Sequence, residues 1–105
     1  MKLKILKRPQ AKRDIIKSAL YIAEDNQRAA EEFLDTLEKT FEDLSKMPNM
    51  GVGRDYVNPR LKGMRMWPVP NFEKYLIFYF RTKDSLEIIR LIHASRNIEE
   101  IFKQA

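Results

Sequence analysis

The chain has 105 residues, with 20 Lys and Arg against 15 Asp and Glu, one histidine and no cysteine. That is one basic domain, long enough to bury roughly 60–70 % of its unfolded surface without staples. The composition excludes disulfides, thiolate zinc sites and cysteine nucleophiles, offers no apolar run of the ~18 residues a membrane helix needs, and fits a cytoplasmic protein.

Residues 2–7 alternate Lys-Leu-Lys-Ile-Leu-Lys, which predicts a short first strand with one wet face. The positive stretch Met1–Arg8 has no apolar segment of the kind that follows in a signal peptide. Pro9 suits the first turn of a helix, where its missing N–H costs nothing. Ile15, Ala19, Ile22 and Ala23 then recur at helical spacing, joined by Ile16 and Leu20, as far as Asp25. Asn26 is a credible cap for a second helix. There Ala30, Phe33, Leu34, Leu37, Phe41 and Leu44 form one stripe, with Glu31, Glu32, Asp35, Glu38 and Glu42 opposite. Met47-Pro48 stops it. Two amphipathic helices with almost no loop between them predict an antiparallel hairpin lying on a sheet.

Residues 48–60, with Pro48, Gly51, Gly53 and Pro59, carry no periodic signal and predict a loop. A second strand is expected over Leu61–Val69, with Pro68 arguing for an edge or a bulge. The centre of the sheet is predicted at Tyr75-Leu76-Ile77-Phe78-Tyr79-Phe80-Arg81, a short run apolar on both faces. Leu76, Phe78 and Phe80 should point one way, towards helices, and Tyr75, Ile77, Tyr79 and Arg81 the other, towards a functional surface. Leu86–His93 gives a fourth strand. Asn97, with Glu100 three residues on, caps a short closing helix through Ile101 and Phe102. The expected fold is therefore α+β, a single domain over 1–105 in the order β-α-α-β-β-β-α. A helical hairpin packs on a mainly antiparallel four-stranded sheet, and a short C-terminal helix closes the chain.

The charge is uneven. Residues 26–47 carry three Lys/Arg against six Asp/Glu, net −3, and residues 48–83 carry seven against two, net +5. A basic loop-and-strand region beside an acidic helix points to an acidic partner or nucleic acid, or to an ordinary lysine-rich surface.

Several islands fit together in order and spacing. Ala11-x-x-Asp14-Ile15, Tyr21-Ile22-Ala23 and Ala29-Ala30-x-x-Phe33 resemble the helical hairpin of the RelE/ParE toxin superfamily. Leu61-x-Gly63-x-Arg65-x-x-Pro68-Val69, Phe72-x-x-Tyr75-Leu76-Ile77-Phe78-Tyr79 and Ile88-x-Arg90-x-Ile92-His93-x-x-Arg96 look like the strand motifs of its ParE branch, the plasmid stabilisation toxins. The resemblance implies a type II toxin–antitoxin toxin that causes growth arrest. A ParE-like toxin is expected to inhibit DNA gyrase by binding, without catalysis or a cofactor, and to be neutralised by a ParD-like antitoxin in a dimer or heterotetramer. A RelE-like toxin would instead cut mRNA on the ribosome. A third reading is a homologue that binds antitoxin but has lost toxicity.

An RNase needs groups to activate a 2′-hydroxyl, hold the phosphate and protonate the leaving oxygen. Arg65, Arg81, Arg90 and Arg96 are the candidate cations, and His93 or Tyr79 the candidate proton carriers; Arg65 and Arg96 match positions where the RelE branch tends to carry arginine. With His93 they are the expected catalytic set should the chain be an RNase. The dense basic set of RelE-like nucleases and the His-Tyr ending of YoeB-like ones are not evident, since the chain ends Phe102-Lys103-Gln104-Ala105. Arg65, Trp67, Tyr79, Arg81, Arg90, His93 and Arg96 are thus expected at a partner- or target-binding surface. Structural alternatives stand beside several of these: Arg65 as a structural residue, Arg90 as half of an ion pair with Glu87 or Asp14, His93 as a hydrogen-bonded strand end, and Trp67 and Tyr75, candidates for stacking on a base, as core. One histidine and no cysteine leave no metal site to predict.

Overall fold

A ten-residue strand, Phe72–Arg81, runs through the sheet, and residues on both of its faces are buried. The computed structural model describes residues 2–53 and 58–103. In chain order the elements are β1 (Lys4–Lys7), α1 (Pro9–Asp25), α2 (Gln27–Lys46), β2 (Val52–Gly53), β3 (Arg65–Val69), β4 (Phe72–Arg81), β5 (Ser85–His93) and α3 (Ile98–Lys103). The sheet order is β1-β5-β4-β3-β2. β1 runs parallel to β5 and the other neighbours are antiparallel.

The α+β class and the helical hairpin agree with the sequence, but the sheet has five strands. The additional one, β2, is a two-residue rung on β3 inside the expected 48–60 loop, too short to leave a periodic signal. The part of that loop at 54–57 lies outside the described residues, as do Gln104 and Ala105. The second strand begins at Arg65, because Pro59–Leu61 forms a 3-10 turn instead. Pro68 stands at a register shift between β3 and β4, the bulge its missing N–H called for.

Asn26 ends one helix and starts the next. Its backbone N–H donates to Ile22 O, and its side chain accepts from Ala29 N at 3.1 Å. With one residue between them, the helices have to fold back on each other. Phe33, Leu37, Phe41 and Leu44 of α2 are fully buried against the sheet. At roughly 1.5–3 kcal/mol per such side chain, this stripe is a main support of the fold.

The alternation in β4 is as expected, but the two faces are exchanged. Tyr75, Ile77 and Tyr79 lie beneath the hairpin, while Leu76, Phe78 and Phe80 meet Leu61, Met64 and Phe102 on the far side. The phenol of Tyr79 tolerates this burial because its tip is satisfied. Its O–H donates to Pro48 O at 2.7 Å and its oxygen accepts from Gly51 N at 2.9 Å. The face turned from the hairpin is therefore a second small core closed by α3, not an open functional surface. A bulge opposite Phe78 and Tyr79 breaks the alternation of β5, so Ile88 joins the hairpin core and Ile92 the α3 core.

Candidate functional site

β1 pairs with β5 only as far as Ile88, after which the chain turns into α1. The next stretch of β5 thus loses its strand neighbour, and α1 takes over. The Asp14 carboxylate accepts from Leu91 N at 3.0 Å, from Arg90 Nε at 2.7 Å and from Arg90 Nη2 at 3.1 Å. Asp14 is buried and Arg90 is largely covered, so the forked guanidinium–carboxylate pair seals the seam between helix and sheet. Of the alternatives open for Arg90, the ion pair with Asp14 is the one formed. Glu87 pairs with Arg8 instead.

Above this seam a cleft of about 350 Å³ opens between α1 and the ends of β4 and β5. Lys17, Ser18 and Tyr21 line it from α1, Tyr75 from β4, His93 from the end of β5, and Arg96 from the turn that follows. The Tyr75 ring is wedged between Phe33 and His93, with centroids 5.1 and 5.0 Å away. Burial pushes its phenol above the ordinary value, and the nearby Tyr21 adds to the rise. His93 Nδ1 accepts from Ser95 N at 3.1 Å and lies 2.7 Å from Ser95 Oγ. Accepting there, the neutral ring carries its proton on Nε2. Neither Lys17 nor Arg96 has a carboxylate partner among the described residues.

The remaining expected site residues lie elsewhere. Arg65 is half-buried on β3, and its Nη1 donates to Gly51 O at 2.7 Å. Together with Tyr79 it pins the Pro48–Gly51 segment. Tyr79 itself has no exposed surface, and burial pushes its phenol up against smaller lowering effects from Gly51 N–H and Arg65. Trp67 packs on the hairpin-side core opposite Ile77. Arg81 is exposed at the far end of β4. Six residues of strand separate it from Tyr75 at the cleft, about 20 Å. Arg65, Arg81 and Arg96 therefore do not share one groove, and only His93 and Arg96 of the seven meet in the cleft.

Lys17, Ser18 and Tyr21 were not among the expected site residues, Tyr21 having been noted only as part of the hairpin motif Tyr21-Ile22-Ala23. Their signal was present in α1, where Lys17 and Tyr21 are one turn apart on the side away from Ile15 and Ala19. Among the described residues no His, Cys, Asp and Glu cluster is placed to hold a metal, and no helix is long and apolar enough to cross a membrane.

The fold and sequence have known counterparts. A solved structure titled "Chromosomal ParDE TA system from P. aeruginosa" contains a chain of the same fold, with a TM-score of 0.68. The two are 15 % identical, and the match covers 87 % of this chain and 95 % of that one. No curated protein matches in sequence. The profile described as the ParE toxin of the type II toxin–antitoxin system parDE matches residues 5–98, from β1 to the start of α3. The chain belongs to the ParE toxin family of type II toxin–antitoxin systems.

Proposed function

We propose that this toxin acts in the cytoplasm by binding DNA gyrase and stalling replication, and that a ParD-like antitoxin silences it. The observation that carries the reading is the ParE family match along nearly the whole chain. The placement of the candidate nuclease groups supports it. Arg90 is committed to Asp14, Arg65 and Tyr79 to the Pro48–Gly51 segment, and Arg81 stands at the opposite end of the sheet from His93 and Arg96. An RNase would need its phosphate-binding cations and its proton carriers within hydrogen-bond reach of one scissile bond.

The second reading, a ribosome-dependent mRNA interferase, has one observation in its favour: His93 and Arg96 line the same cleft. Purified protein decides between them. On the gyrase reading it inhibits supercoiling and leaves mRNA intact in a translating extract. Cleavage in that extract with gyrase untouched establishes the interferase, and Arg96→Ala should then abolish cutting while the fold survives. Induction without growth arrest would leave only the antitoxin-binding role.

A further inference from the structure

The end of the sheet remote from the cleft carries a row of cations that the scaffold leaves unused. β4 finishes at Arg81 and β5 begins at Ser85, and Thr82 N–H closes the turn between them by donating to Ser85 O at 2.9 Å. β1 starts at the same level. Lys4 stands beside Ser85, and its backbone N–H donates to Asp84 O at 3.0 Å. β3 runs against β4, so the chain enters it at this end too, through a turn at Lys62 and Gly63 where φ of the glycine is 87°. These strand ends bring Lys4, Lys62, Arg81 and Lys83 to one edge, all of them exposed. None has a carboxylate partner among the described residues, whereas Lys2, Lys7 and Arg8 are paired with Glu42, Glu38 and Glu87. Asp84 is the one acidic residue in these turns. A row of like charges without counter-charges costs stability, a cost that a bound polyanion removes.

We infer that this edge binds the phosphate backbone of duplex DNA. The strand spacing sets the length of the row: three steps of about 4.8 Å from β1 to β3, roughly 14 Å. One strand of a duplex passes a phosphate every ~3.4 Å along the axis, so about four phosphates face a row of that length. Such a contact fixes the position of the protein on the duplex and reads no sequence. A protein partner fits this edge less well. Protein interfaces have an apolar centre depleted of lysine, and no large exposed apolar side chain stands in these turns. The apolar residues beside them, Leu61, Met64 and Leu86, are buried in the two cores. The inference deepens the gyrase reading and rests on it for the source of the DNA, the duplex that gyrase holds. The contact itself is measurable without the enzyme.

The test is fluorescence anisotropy of the purified toxin on a labelled duplex of about 20 base pairs, between about 50 and 200 mM salt, followed by trapping of cleaved DNA by gyrase with the same proteins. Binding by the unaltered chain should weaken with salt with a log–log slope of roughly −3 to −4, about 0.9 for each phosphate met. Arg81→Gln with Lys83→Gln, and Lys4→Gln with Lys62→Gln, should each weaken DNA binding at least tenfold at the lower salt and shrink the slope by about 2. Both pairs should also raise the toxin concentration needed to trap DNA. Lys17→Gln with Arg96→Gln at the cleft, and Arg28→Gln on α2, should leave DNA binding within twofold. Melting temperatures within a few degrees of the unaltered chain show that the variants fold, and either edge pair suffices should the other not fold. A toxin that inhibits gyrase but shows no salt-sensitive DNA binding, or whose edge variants trap DNA as the unaltered chain does, overturns the DNA contact and leaves the gyrase reading. Edge-dependent DNA binding with gyrase untouched supports the contact and overturns the gyrase reading. Affinity lost only in the Lys17 and Arg96 pair moves the site to the cleft and overturns this assignment. Duplex RNA bound at least tenfold tighter than DNA overturns the choice of DNA.

Discussion

Tyr79 shows what a buried phenol is for. It links the sheet to the Pro48–Gly51 segment through two hydrogen bonds, and an added Cβ on Gly51 would lie 2.3 Å from its hydroxyl oxygen. Tyr79→Phe should leave Gly51 N–H and Pro48 O unpaired and lower stability by about 1–3 kcal/mol in urea unfolding. Gly51→Ala should destabilise as well, since the neighbouring atom is a clamped ring. The phenols of Tyr79 and Tyr75 are pushed above the ordinary value of 10.0, so the neutral forms are favoured by folding. Their contribution is full below that value and is lost as pH rises through the folded-state pKa. Stability should therefore fall above about pH 10, and less steeply in Tyr79→Phe. The Asp14–Arg90 pair gives a second prediction. Arg90→Ala strands a buried carboxylate and should cost about 3–5 kcal/mol by thermal or chemical unfolding. Adding Asp14→Asn should recover part of that loss, because the amide oxygen can still accept from Leu91 N–H.

At the scale of elements, single local signals predicted well and two-sided ones did not. The α2 stripe, the Asn26 cap and the Asn97 cap, whose oxygen accepts from Glu100 N at 3.1 Å, are local and were all legible. β4 is apolar on both faces, so alternation showed which residues share a face but not which face meets the hairpin. The bulge in β5 then moved Ile88 and Ile92 to opposite faces, a change of register that no spacing rule announces. Ile16 and Leu20 widen the apolar arc of α1 beyond what the hairpin buries, and both are exposed. Capping makes a test at this scale. Asn26→Ala should destabilise the hairpin by about 1 kcal/mol in equilibrium unfolding, with Asn26→Asp close to neutral. The β3–β4 turn makes another. Asn71 has φ of 68°, so Asn71→Ala should cost about 1 kcal/mol and Asn71→Gly much less.

For the molecule as a whole, the order of motifs carried the family, and the family profile and the fold agree with it. The site was less legible, because a cationic surface depends on which arginines fold inwards. Arg65 and Arg90 are drawn into the scaffold, Arg81 and Arg96 stand at opposite ends of the sheet, and Lys17 joins Arg96 from a helix 79 positions earlier in the chain. What is left is a small platform with a cationic cleft beside an apolar helix face. The most direct measurement is the trapping of cleaved DNA by gyrase in the presence of the purified toxin. Linear DNA released by detergent and protease should rise with toxin and return to baseline when the adjacent antitoxin is added. Unchanged supercoiling and no linear DNA at a large excess of folded toxin would contradict the account.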